Sequence, residues 1–234
     1  MGDRRPMLEL LQADHWQEYE PEFHRLQNWE FYPLLLDTLE QLDHSVLFVS
    51  KMHGLGHIER TILQGGFCAM EEGLDRPDTE LLLLECSYHD VGRQNDWVDD
   101  LHGHRSAQRI GQITGRTGED LKLLQGAVDA HSRRETALRP TVEGYHPADL
   151  DRAILLAQLL KDADGLDRVR IGDLDPSYLR RASSQRRAGL ALEVFRRYQR
   201  SIGMAPEPFF TPEQIETFRR HKNDPNPPSP PPQG

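Results

Sequence analysis

A chain of 234 residues, 37% hydrophobic and 28% charged, suits one domain with a core, or one domain with decorations. Its formal charge of -10 argues against attraction to a nucleic-acid backbone or an anionic membrane. It leaves room for a small phosphorylated ligand, because bound metal ions reverse the local sign.

Two cysteines, Cys68 and Cys86, lie among apolar residues and form no disulfide framework, so buried thiols in a reducing compartment are expected. No apolar run approaches the ~20 residues needed to cross a bilayer, and the start MGDRRPMLEL has too short an apolar segment for a signal peptide. A cytoplasmic location with no membrane partner is the expectation.

Residues 1–45 read as helices that pack on a core. Trp16, Tyr19, Phe23 and Leu26 recur at helical spacing, and so do Phe31, Leu34, Leu35, Leu39 and Leu42. His15, His24 and His44 fall here as surface or half-buried residues. In HGLGHIER, His53 and His57 are four apart and share a helix face. By itself such a pair also suits solvated histidines. Gly54 and Gly56 fit a helix start or a close backbone approach. Arg60 is placed to orient a carboxylate or meet a phosphate.

After the turn EEGLDRPD comes LLLLECSYHDVGR, an apolar helix with Asp78 or Thr79 as cap. It ends near Gly92, just past His89 and Asp90. A loop with Asp96, Asp99 and Asp100 follows, then a helix containing His102 and His104. These two histidines diverge on a helix, so only one points inward. EDLKLLQGAVDAHS is amphipathic and ends at His131, which also reads as an ordinary histidine at a helix C-terminus. Residues 139–147 read as a loop. Asp149 then caps a periodic helix on which Lys161, Asp164 and Arg168 approximate one face.

The arginine-rich segment through Arg200 reads as a solvated helix, with an anionic partner as the alternative. Residues 206–223 hold a short helix with Thr211, Pro212 and Gln214 at its start. Residues 224–234 read as a disordered, proline-rich tail. No strand pattern is visible, so the fold class expected is all-α.

The candidate ligands are imidazoles and carboxylates at wide spacing, a set suited to Mn²⁺, Fe²⁺, Co²⁺, Ni²⁺ or Zn²⁺. Phosphate-loop, dinucleotide and nucleophile-elbow motifs are absent.

On HGLGHIER (53–60), SYHDVGR (87–93) and KDADGLDRVR (161–170), the chain resembles the HD-domain superfamily of metal-dependent phosphohydrolases. The resemblance covers residues 45–170, and the ordered H…HD…D pattern falls on His57, His89, Asp90 and Asp164. It implies a single helical bundle over residues 46–205 around one or two divalent ions, with Mg²⁺ added to the metals above.

In the two-ion arrangement His57, His89 and Asp164 hold one ion, His104 and His131 hold the other, and Asp90 bridges. In the one-ion arrangement His104 and His131 contact phosphate or shuttle a proton. Lys161 and Arg168, and more weakly Arg60, are the candidates for holding phosphate. The implied activity is hydrolysis of a nucleotide or other small phosphorylated metabolite by metal-activated water.

Arg93 and Gln94 stand where the (p)ppGpp hydrolases carry an acidic pair. The GYP signature of cyclic-di-GMP phosphodiesterases and the glutamate of the 5′-nucleotidase group are also absent. Two alternatives are a di-iron oxygenase, which uses the same ligands, and a non-catalytic regulatory module.

Overall fold

The apolar periods of the sequence become helices. A computed structural model describes residues 4–13, 16 and 19–221, without the side chains of 218–221. His15 and the proline-rich tail lie outside the described residues. Among those described there are twelve α-helices and no strand, so the fold is all-α.

Three short helices, α1 (Pro6–Gln12), α2 (Glu20–Gln27) and α3 (Tyr32–Gln41), lie against the main bundle. Trp16 stacks on Phe23, whose edge meets Phe67 in the bundle, so this segment is anchored by aromatic contact.

The bundle is built on α4 (Leu55–Glu72), which is buried from His57 through Ala69 and stops at the left-handed Gly73. It crosses α5 (Arg76–Tyr88) and α9 (Leu150–Leu166), while α7 (Gly118–His131) packs against α5, α9 and α6 (His102–Thr114). Cys68 and Cys86 are free thiols inside this core.

The start of α5 differs from the expectation. Asp75, rather than Asp78 or Thr79, is the cap, accepting the Asp78 amide, and this puts Pro77 in the first turn where its missing N–H is harmless. The loop expected over 139–147 also contains a helix, α8 (Leu138–Glu143). Leu138 and Val142, four apart, bury themselves in the core, and Pro140 falls within the first turn.

After Leu166 the chain tightens into a 3₁₀ turn, Asp167–Ile171, which takes Arg168 off the α9 face that carries Lys161. Asp149 caps α9 as expected, accepting the Arg152 amide. Two further helices, α10 (Ala182–Gln185) and α11 (Ala188–Ser201), close the far side of α4. The basic face of α11 is partly folded inward, with Arg197 over the Trp16 ring and bonded to Glu193. The last helix, α12 (Pro212–His221), begins with the reciprocal bonds expected between Thr211 and Gln214. No described helix is long and apolar enough to cross a membrane.

Candidate metal centre

Four helix ends meet inside the bundle. The N-terminal turn of α4 brings His57, the end of α5 brings His89 and Asp90, the start of α6 brings His102, and the end of α7 brings His131. All five side chains are buried.

The Nε2 atoms of His57 and His89 are 3.1 Å apart, and those of His102 and His131 are 2.9 Å apart. Asp90 lies between the pairs. Its Oδ2 is 3.6 Å from His57 Nε2 and 3.8 Å from His89 Nε2, and its Oδ1 is 3.1 Å from His102 Nε2 and 3.6 Å from His131 Nε2. Asp164, 28% exposed, adds Oδ1 at 3.4 Å from His57 Nε2.

The other nitrogen of each ring fixes what these atoms are. His57 Nδ1 lies 2.8 Å from Asp167 Oδ2, His89 Nδ1 lies 3.0 Å from the Cys86 carbonyl, and His131 Nδ1 lies 2.5 Å from the Val128 carbonyl. His102 Nδ1 contacts the Asp99 carbonyl. A carbonyl or carboxylate oxygen only accepts, so each Nδ1 carries the proton and donates it.

Burial then keeps the His57 and His131 rings neutral. Assisted by Arg170, it pushes His57 down to about 3, and it pushes His131 down to about 4. The neutral His57 and His131 rings, each with its proton on Nδ1, turn a bare Nε2 lone pair toward the Nε2 of His89 and of His102. Two ligands at right angles, each ~2.1 Å from an ion, are separated by about 3 Å. That is the spacing of both pairs.

Asp90 Oδ1, buried between His102 and His131, has no hydrogen-bond partner. Burial alone would raise the Asp90 carboxyl, but His89 and Arg93 outweigh it and hold Asp90 well below the usual carboxylate range. The ionised, unsatisfied oxygen and the bare nitrogens of His57 and His131 fit a cation. The residues form two groups that share Asp90: His57, His89 and Asp90, and Asp90, His102 and His131. Each could hold a metal ion, the first with Asp164 beside it.

The geometry departs from the sequence expectation at four residues. His104 points outward with its side chain 44% exposed, and its Nδ1 meets Asp129 Oδ2 at 2.8 Å, so it is neither a ligand nor a proton carrier at this centre. His102 takes the inward position.

Arg168 is half exposed and bonds Asp173, a consequence of the 3₁₀ turn, so it does not face the centre. Arg60 is buried between the Phe195 and Tyr198 rings and grips Asp167 through Nε at 2.6 Å and Nη2 at 3.0 Å. It therefore orients the carboxylate that orients His57, and its guanidinium is buried rather than presented to a ligand.

Lys161 is buried. Its Nζ donates to the carbonyls of Ala130 at 3.3 Å and Arg133 at 2.7 Å, closing the end of α7 behind His131. Burial and Arg180 bring its ammonium down to about 8.

Asp167 lies beyond the H…HD…D resemblance, which ends at Asp164, yet KDADGLD places a further acid three residues on. His53 lies before α4 rather than on a helix face with His57. Its Nδ1 is 2.9 Å from Asp96 Oδ1, and Asp96 also accepts from Ser50 at 2.5 Å. The chain matches no protein-family model, no curated protein and no solved structure.

Proposed function

We propose that this protein is an HD-type, metal-dependent phosphohydrolase that holds two divalent ions and acts on a nucleotide or other small phosphorylated metabolite. The observation that carries the reading is the two close Nε2 pairs on either side of Asp90, whose Oδ1 has no hydrogen-bond partner.

The residues have distinct tasks. His57, His89 and Asp164 serve one ion, His102 and His131 serve the other, and Asp90 serves both. Asp167 and the helix-end carbonyls hold each ring in the tautomer a ligand needs. Lys161 fixes the end of α7 and so the position of His131. Bound divalent ions supply charge to phosphoryl oxygens and make water a nucleophile at neutral pH. The two-ion arrangement is preferred over one ion because His102 and His131 form a second group of their own, complete with half of Asp90.

The test is metal analysis of protein purified without chelator, paired with a phosphoester and nucleotide panel under Mn²⁺, Co²⁺ and Mg²⁺. About two ions per chain and hydrolysis of at least one phosphoester are expected. In Asp90→Ala both metal and activity should fall to background. A variant that keeps near wild-type activity sinks the proposal. Iron with oxygen consumption and no phosphate release would assign the centre to oxygenase chemistry instead.

A further inference from the structure

Three of the four imidazoles at the centre are oriented by the backbone. His89, His102 and His131 each turn Nδ1 to the carbonyl three residues earlier, that of Cys86, Asp99 and Val128. His57 alone relies on side chains, with Nδ1 at 2.8 Å from Asp167 Oδ2 and 3.3 Å from Thr61 Oγ1. A carbonyl is fixed by its own segment, whereas a carboxylate turns about its side-chain bonds and must itself be held.

Arg60 holds it. Nε meets Asp167 Oδ1 at 2.6 Å and Nη2 meets Oδ2 at 3.0 Å, so the plane of the guanidinium sets the plane of the carboxylate. Arg170 reaches the same Oδ2 only at 3.5 Å. The Arg60 guanidinium in turn lies over the Phe195 and Tyr198 rings, at 5.2 and 5.0 Å from their centroids. Those rings are three residues apart on α11 and buried, and a cation over an aromatic face is held more strongly where water is excluded.

Tyr198 presses on α4 in two further places. Its hydroxyl donates to Glu59 Oε2 at 2.6 Å, and a Cβ on Gly56 would meet its Cε1 at 2.8 Å. Only a residue without a side chain lets the ring lie this close to the neighbour of His57. All of these α11 contacts come from beyond residues 45–170, the reach of the H…HD…D resemblance.

We infer that α11 is a working part of the centre: Phe195 and Tyr198 keep Arg60 in plane, Arg60 sets Asp167, and Asp167 fixes the His57 tautomer. Phe195 and Tyr198 are thus positioning residues for His57 and its ion, and not for His102 and His131. The effect on metal rests on the two-ion reading, while the effect on the ring rests on the contacts alone.

The experiment uses the full chain with ¹⁵N-labelled histidine rings at neutral pH, first metal-free and then titrated with Zn²⁺. Ring ¹⁵N shifts report each tautomer, and they read the His57–His89 and His102–His131 groups separately. In the metal-free wild type His57 should carry its proton on Nδ1. Tyr198→Ala should give a mixture of His57 tautomers and weaken Zn²⁺ at His57 and His89 by about 10–100-fold, the usual cost of losing support behind a ligand. Zn²⁺ at His102 and His131 should be unchanged. Tyr198→Phe, which keeps the ring and loses only the hydroxyl, should restore the wild-type tautomer and affinity. Phe195→Leu keeps most of the apolar volume but offers Arg60 no ring face. It should act in the same direction as Tyr198→Ala, and it decides the matter if that variant does not fold.

A His57 tautomer unchanged in the folded variants, or Zn²⁺ affinity falling equally at both groups, overturns the inference. A tautomer that shifts as expected in a protein whose wild type takes up no Zn²⁺ sustains the role of α11 and sinks the metal centre. Two ions bound with His57 unmoved does the reverse.

Discussion

His102 and His104 are about 200° apart around a helix, since each residue turns the chain by about 100°. The sequence requires that one face inward and leaves open which. The deciding signal was present: His102, Ser106 and Ile110 follow one another at intervals of four and are all buried, whereas His104 is followed four places later by the polar Gln108. The order of histidines in the HD-domain resemblance carries no information about that face, so it points to His104.

The two residues give a direct test. His102→Ala should remove the ion held with His131, while His104→Ala, which disturbs only Asp129 and Gln108, should leave the metal content as it is. Replacing a residue that orients a ligand typically costs 10–100-fold in metal affinity, and loss of a ligand itself should exceed that. Metal stoichiometry by elemental analysis, with each protein at the same free metal concentration, reads the difference. Two ions retained in His102→Ala would remove that residue from the centre.

Helix identity was legible from apolar spacing, but helix position depends on contacts that no local pattern contains. The α6 and α7 pair shows this. Gly103 sits where a Cβ would meet the Val128 carbonyl at 2.6 Å and Ser132 Oγ at 2.7 Å, so the lack of a side chain lets α6 rest directly on the end of α7. That close approach sets the 2.9 Å between His102 and His131.

Gly103→Val should push the helices apart and cost about 1–3 kcal/mol, the usual penalty for overpacking. The effect on metal should be uneven. The ion held by His102 and His131 should be lost first, and the ion held by His57 and His89, which rest on α4 and α5, should persist. Thermal melting with metal analysis checks both parts, and an equal loss of the two ions would refute the geometric link. The same reasoning explains the missed helix α8 and the misplaced cap of α5. Each depended on whether a short apolar pair or an aspartate met a partner from another element.

Across the whole molecule, the centre is made by residues as far apart in sequence as His57 and Asp167, which only the packing of α4 on α9 and the turn after it brings together. The sequence announced the residue types that meet there, since imidazoles and carboxylates beside apolar runs are visible without a structure, but not that His102 rather than His104 is among them. It could not announce which buried polar groups find partners.

Glu85 is the clearest case, and it sets a pH dependence for the fold. It sits within the apolar run of α5, its carboxyl is fully buried, and neither oxygen has a hydrogen-bond partner. Burial, with Asp78 adding to it, raises its pKa well above the ordinary carboxylate value. An acid with a raised folded pKa binds its proton more tightly folded than unfolded. Its contribution is therefore fully present below the unfolded pKa, near 4.3, and is lost as pH rises toward the folded pKa. Over that window the folded state holds up to one more proton, so stability declines by up to about 1.4 kcal/mol per pH unit from this residue alone.

Glu85→Gln keeps the shape of the protonated acid and removes the titration. Any cost of burying the amide is independent of pH and shifts the whole curve by a constant. The difference in unfolding free energy, variant minus wild type, should therefore be flat below about pH 4 and climb steadily above it. Denaturant melts of the two proteins from pH 4 to 8 measure that slope. Parallel curves across the range would mean that Glu85 is ionised and satisfied in the folded protein.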